Sequence, residues 1–332
     1  MRLYKSLVTA AIFGLATTAL PQQASAEVTL RVISGLPQNH DLTQSYLQHF
    51  HKPFNAEGKG KVQANYMGGP EVTPRTRQAA SMQRGLVDMI FTPASYYFGI
   101  LPEARPLAMS SVPVEEMRKN GAFDMLQEAW KKRINGMIVG WCCTDQVFHF
   151  YTTFEPKLDS EGKPDLRGIK MRSTELYNPI YEALGATPVT IDAPELYTAM
   201  QRGVVQGFGF PEGGVVALGV KDITKYRIDT GFFRGTSMLA MNHDKFMSLP
   251  KEIRDFIVEK GIAYEKDSIA FIERKAEEDL KALEQAGMQR FKLSPAGEKA
   301  FLKAAYDAGW TLLDRYETII DIKKLRPLIL QQ

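Results

Sequence analysis

The chain has 332 residues, 41 of them lysine or arginine against 38 aspartate or glutamate, with two cysteines and five histidines. This near-balance leaves no basic footprint for nucleic acid, two cysteines cannot build a disulfide framework, and the length suffices for two ordinary domains. The sequence also lacks the GxxxxGK[ST] phosphate cradle, a GxGxxG opening a helix after a strand, and a GxSxG elbow.

In chain order, Arg2 and Lys5 precede an apolar run over residues 7–20, and Ala24-Ser25-Ala26 supplies small residues at a cleavage site. This pattern predicts a secretory signal peptide over 1–26, a mature chain beginning near Glu27, and a periplasmic location. The run is shorter than the roughly 20 residues a bilayer span needs. Removing Arg2 and Lys5 leaves 39 basic against 38 acidic residues, a net +1, and no later stretch is apolar over a spanning length.

The β-branched run 28–33 reads as a strand ended by Gly35 and Pro37, and 42–54 as an amphipathic helix. A strand at 62–66, a helix at 75–84 and a further strand led in by 85–91 repeat the grammar of an open α/β domain. A helix over about 115–132 precedes strands at 137–141 and 147–152, where the chain is expected to cross to a second lobe. That lobe reads as strand 168–172, helix 178–184, strand 185–189, helix 195–203 and strand 204–210. Residues 236–242 read as a strand returning to the first lobe. Helix formers then dominate 252–284, interrupted only by Gly261, which predicts one long helix or two nearly collinear ones bracing both lobes. Helical sequence resumes at 295–316.

The expected fold is therefore α/β and two-lobed. Lobe one takes 27–146 with about 237–277, and lobe two takes about 147–236 with 278–332. Cys142 and Cys143 are adjacent; they read as two small apolar residues in a buried strand, with a vicinal disulfide as the alternative. Against that alternative stands a Cα separation of about 3.8 Å, below the usual bridge minimum of about 4.4 Å.

Chemistry-bearing constellations are few. Among the histidines only His49 and His51 are close, and at i, i+2 on a helix they diverge, so no metal site and no cofactor are expected. Arg172 ends an apolar strand just before a loop, where an open α/β sheet presents ligand-facing residues. A planar, permanently charged guanidinium there suits a carboxylate, although a structural salt bridge is the ordinary reading of such an arginine.

Three fragments change that weighting. Asp165-Leu166-Arg167-Gly168-Ile169-Lys170-Met171-Arg172, then Leu184-Gly185-Ala186-Thr187-Pro188-Val189, then Glu195-Leu196-Tyr197-Thr198-Ala199-Met200-Gln201-Arg202-Gly203-Val204-Val205-Gln206-Gly207 occur in this order and spacing. Together with Arg84-Gly85-Leu86-Val87-Asp88-Met89 and Leu249-Pro250, the chain resembles the solute receptors of TRAP transporters, the tripartite ATP-independent periplasmic systems. The resemblance implies a periplasmic-binding-protein fold with a cleft that closes on the ligand, Arg172 clamping a substrate carboxylate, and two membrane permease subunits as partners. In the sialic-acid receptors of that family a second arginine falls near the position of Val147, and an asparagine near that of Phe210. Both replacements remove polarity, which points to a smaller or more apolar acid than a sugar acid.

Aromatic residues gather at the same loops. Tyr96, Trp141, Phe148, Tyr177, Phe208 and Phe210 are candidates for the cleft wall. Glu212 is a candidate acceptor for a ligand hydroxyl or amine, and His40 joins the set from the loop after the first strand. A periplasmic enzyme using Glu212, Asp192 or His40 as acid or base, and a receptor for an ATP-driven importer, are the competing readings. No catalytic pair at a recognisable spacing supports the enzyme.

Overall fold

A computed structural model describes residues 27–330; the leader assigned to 1–26 lies outside them. Two sheets form. The first runs in the order Val62–Gly68, Val28–Ser34, Met89–Pro93, Ser237–Asn242, Gly136–Cys142. The second runs Gln289–Phe291, Tyr226–Arg234, Val147–Thr152, Gly207–Pro211, Lys170–Ser173, Thr187–Thr190. Val28–Ser34 is parallel to both neighbours and Ser237–Asn242 antiparallel to both, so each sheet mixes crossover units with strands that enter from the other lobe.

The chain passes between the sheets at residues 143–146 and 235–236. These two connections run side by side, because the strands they join are neighbours in both sheets. The Gly235 N–H donates to the Gln146 carbonyl at 2.9 Å, and Trp141 Nε1 donates to the Gly235 carbonyl at 2.8 Å. A Cβ on Gly235 would stand 2.7 Å from the Cys143 carbonyl oxygen, so this approach requires glycine.

The brace is one helix, Lys251–Gln285, of 35 residues. Its N-terminal half buries Ile253, Ile257 and Tyr264 in the core of the first lobe, while Leu283 joins a cluster with Phe208 beneath the second sheet. Each such side chain contributes about 1.5–3 kcal/mol on burial. Near its far end the Asp279 carboxylate accepts from the Gly214 and Val216 N–H groups at 2.8 and 3.0 Å, fixing the loop after Gly207–Pro211.

Several elements differ from the sequence reading. The helix expected over 115–132 is two, Val114–Asn120 and Ala122–Ile134, broken at Gly121 with φ +87°. The helix expected over 42–54 runs from Asp41 to Glu57 with a π-helical turn at Leu47–His51; Pro53, which has no N–H to donate, follows that turn. The strand Tyr226–Arg234 was not anticipated. The final helix, Ile322–Ile329, assigned by sequence to the second lobe, packs on first-lobe helices: Asn120 Nδ2 donates to the Leu328 carbonyl at 2.7 Å, and Leu325 and Ile329 are buried.

The two cysteines are not a pair of free thiols. Cys142 and Cys143 are joined by a disulfide across a Cα separation of 3.8 Å. The usual minimum separation applies to bridges between distant segments. Here Cys143 takes φ +62°, in the left-handed region, and so leaves the strand alternation that would send adjacent side chains to opposite faces.

Candidate functional site

Arg172 lies in Lys170–Ser173, between Gly207–Pro211 and Thr187–Thr190, both parallel to it. The side chain is 1% exposed. Its Nε donates to the Ile191 carbonyl at 2.8 Å, whereas Nη2 is buried and has no partner. One edge of the guanidinium is thus held by the backbone, and its end is left to bind something else.

That end borders an interlobe cavity of about 40 Å³, room for about three waters at 10–15 Å³ each. Phe148, Tyr177 and Phe210 wall it from the second lobe, and Leu36, Leu42 and Tyr96 from the first. Polar groups come from Ser95, Gln146, Thr174, Thr236 and Ser237. Burial holds the Tyr177 phenol well above its ordinary range, with the Arg172 charge opposing, so Tyr177 stays a neutral hydroxyl.

Of the residues singled out by sequence, Arg172, Phe210, Tyr177, Phe148 and Tyr96 come together around this cavity. Four do not. Phe208 shares a strand face with Phe210 but sits two residues deeper, stacked on Tyr151 at 5.1 Å in the core. Trp141 is 1% exposed and supports the hinge through its bond to Gly235. Glu212, just past the strand end, faces away; its Oε2 is 3.7 Å from His149 Nε2, and it borders a separate groove with Arg227 and Glu273.

His40 is buried behind the wall rather than in it. Its Nδ1 accepts from the Leu42 N–H at 3.2 Å and caps the helix Asp41–Tyr46, while the ring meets Phe210 at 6.2 Å. Burial, helped by the charge of Arg75, lowers its pKa to about 4, so it is neutral near pH 7 and its unpartnered Nε2 carries the proton.

Sequence reasoning missed Arg75, because an arginine opening a helix resembles any solvated surface residue. It is 4% exposed; Nη1 donates to the Tyr96 hydroxyl at 3.0 Å, and Nε lies 3.9 Å from Asp192 on the opposite lobe. It also missed a second cross-cleft pair. Arg105 Nη2 meets Glu175 Oε2 at 2.9 Å, with the guanidinium over the rings of Phe98 and Tyr316 at 4.8 and 4.9 Å. The hydroxyl lining had a usable signal: Ser95, Thr174 and Thr236 all lie within two residues of a strand end.

Among the described residues no group of three or more His, Cys, Asp or Glu side chains is arranged to hold a metal, and no helix is long and apolar enough to cross a membrane. The cavity wall contains one arginine, hydroxyls, an amide and apolar groups, and neither a carboxylate nor an imidazole. Such a lining suits an anion, and it offers no side chain suited to a general base near neutral pH.

Residues 33–310 match the family of bacterial extracellular solute-binding proteins, family 7. Three solved structures share the fold. A TRAP periplasmic solute-binding protein from Desulfovibrio desulfuricans, with bound sn-glycerol-3-phosphate, is 18% identical with a TM-score of 0.78 over 91% of this chain and 96% of its own. DctP7 of Bordetella pertussis, an extracytoplasmic solute receptor binding pyroglutamic acid, is 20% identical with a TM-score of 0.77 over 91% and 99%. A TRAP periplasmic solute-binding protein from Rhodoferax ferrireducens, with bound malonate, is 20% identical with a TM-score of 0.76 over 90% and 96%.

Proposed function

The chain belongs to the bacterial extracellular solute-binding proteins of family 7, and from that membership we propose that it is the periplasmic receptor of a TRAP transporter, holding a compact organic carboxylate on Arg172. The observation that carries this reading is the buried Arg172 Nη2 without a partner, at a cavity that has no other charged side chain. A carboxylate accepting from the end of the guanidinium would satisfy it with two parallel charge-assisted bonds. The acids bound by the Bordetella and Rhodoferax proteins support the assignment.

In this reading the leader 1–26 directs the chain to the periplasm and is removed. The open receptor exposes Arg172, the carboxylate binds, and closure takes both charges into a drier site where their attraction is stronger. Closure without an anion would bury an uncompensated arginine, so the ligand shifts the equilibrium through its differential affinity for the closed state. The closed form then delivers its cargo to the two membrane subunits. The protein acts as a receptor and returns its ligand chemically unchanged.

Calorimetry on Arg172→Lys tests the assignment. Lysine keeps the charge and loses the fork, and a loss of about 2 kcal/mol or more lowers affinity at least about 30-fold. Wild-type affinity for the cognate acid in Arg172→Lys sinks it.

A further inference from the structure

The charge inventory of the cavity narrows the ligand further, on the premise that Arg172 holds its carboxylate. We propose that the ligand is a singly charged acid with an oxo or hydroxyl oxygen close to the carboxylate, and that the site rejects amino acids and dicarboxylates of equal size.

The argument against an ammonium group is an absence of counter-charge. Arg172 is the only charged side chain among the residues lining the cavity. The carboxylates nearest the cleft are turned elsewhere: Asp192 faces Arg75, Glu175 is paired with Arg105 at 2.9 Å, and Glu212 lies against His149. His40 behind Phe210 is neutral near pH 7 and offers a donor, the wrong polarity for an ammonium. A zwitterion would therefore bring a buried cation with no acceptor of opposite charge.

The argument against a second carboxylate concerns Arg75, which stands behind Tyr96, since Arg105 is already paired with Glu175. It does not line the cavity. Its Nη1 is engaged by the Tyr96 hydroxyl, its guanidinium lies over the Tyr96 ring at 4.9 Å, and its charge faces Asp192. A second anionic group would be buried opposite hydroxyls and apolar walls alone.

An uncharged ligand oxygen, by contrast, is well served. Tyr96 accepts its bond from Arg75, so the phenolic proton remains for an acceptor on the ligand. Ser95, Thr174, Thr236 and Ser237 bring hydroxyls that donate to an oxo group or accept from a hydroxyl. Leu36, Leu42, Phe148 and Phe210 leave the remainder of the molecule an apolar wall.

The test is titration calorimetry on residues 27–332, unfolded and refolded to strip bound ligand, with pyruvate, 2-oxobutanoate and L-lactate against propanoate, L-alanine and malonate. The expected result is that at least one of the first three binds tenfold or more tighter than each of the last three. L-alanine or malonate within tenfold of the best acid overturns the inference, as does propanoate within tenfold, and so does failure of all six to bind. Repeating the series with Arg172→Lys separates the two levels. Malonate that binds wild type and is lost in Arg172→Lys leaves the carboxylate receptor standing and removes the single-charge rule. An acid that binds both proteins equally removes the arginine assignment itself.

Discussion

Gly261 offers a test in which two physical effects predict opposite signs. It lies inside Lys251–Gln285, where replacing glycine by alanine ordinarily stabilises a helix by about 1 kcal/mol. Yet a Cβ at Gly261 would stand 2.1 Å from the Val139 carbonyl oxygen and 2.8 Å from Val139 Cγ1. The contact is mutual, since a Cβ on Gly140 would be 2.8 Å from the Gly261 carbonyl oxygen. The obstructing atoms are sheet backbone, which cannot rotate away, so the overpacking cost falls at the upper end of about 1–3 kcal/mol. Gly261→Ala is therefore expected to lose about 1–2 kcal/mol net. With an unfolding entropy near 2.1 cal/mol/K per residue over roughly 300 residues, Tm falls by about 2–3 °C. Thermal unfolding by circular dichroism, without added ligand, reads this out. A rise in Tm would show that the helix and strand separate freely and that the brace is not clamped to the hinge strand.

Three further outcomes follow. His40 has its pKa lowered to about 4 by burial and by Arg75; the unfolded chain takes up this proton below about pH 6.5 and the folded chain only near pH 4, so the stability present above pH 6.5 is lost as pH falls to 4, in total about 3 kcal/mol. His40→Asn keeps a capping acceptor and should flatten the Tm difference between pH 7 and pH 4.5; an unchanged slope would refute the assignment. Glu265 is 5% exposed and pairs with Arg118 at 2.6 Å while accepting from the Trp141 N–H at 3.0 Å. Arg118→Leu should lower stability by about 2–3 kcal/mol at pH 7 in urea unfolding, the low end for a broken buried pair because Arg118 is partly exposed. Burial already raises the Glu265 pKa against the pull of Arg118, so that loss should shrink as the pH falls and the carboxyl protonates; a loss that does not change with pH would argue against it. Glu175→Gln removes the tie between Arg105 and the loop carrying Thr174, Leu176 and Tyr177. Since Glu175 is 55% exposed, the effect is about 0.5–1 kcal/mol, seen as two- to fivefold faster ligand dissociation in stopped-flow; an unchanged rate means the pair does not hold the loop.

The sequence was legible where periodicity and position agree. Arg172 was singled out because it ends an apolar strand before a loop and falls in the fragment 165–172 that resembles the TRAP receptors, the strand end alone being the ordinary place of a structural salt bridge; Phe148, Tyr177, Tyr96 and Phe210 were singled out because they stand at the same strand ends. Phe208 shows the limit: it has the same residue type and sheet face as Phe210, and only its depth along the strand separates core from cavity. Glu212 shows another, because its direction depends on the turn after Pro211 and not on any local pattern. Tyr226–Arg234 escaped because the alternation Tyr226-Arg227-Ile228-Asp229 is short and breaks at Thr230-Gly231 and the adjacent Phe232 and Phe233, where the strand register also shifts; Arg227 and Asp229 form an ion pair at 2.7 Å within the strand. Arg75 and Asp192 lie 117 positions apart, and only the packing of one lobe on the other brings them to 3.9 Å.

In the proposed receptor Arg75 and Arg172 act in opposite directions on closure. Arg75 meets Asp192 across the cleft at 3.9 Å, but Asp192 is 67% exposed, so the pair contributes at most about 1 kcal/mol to the closed form. Arg172, with Nη2 unpartnered and 1% exposure, opposes closure by about 1–3 kcal/mol until an acceptor arrives. The second effect is at least as large as the first, so the Arg75–Asp192 pair alone would not hold such a receptor shut. Moving a two-state equilibrium from 1:99 to 99:1 takes about 5.5 kcal/mol of differential affinity. Two charge-assisted bonds at about 1.5–3 kcal/mol each would supply about 3–6 kcal/mol, so in the proposed mechanism a single carboxylate on Arg172 supplies most of that difference and, at the upper end, all of it. An acid that also needed a second buried charge neutralised would fall short.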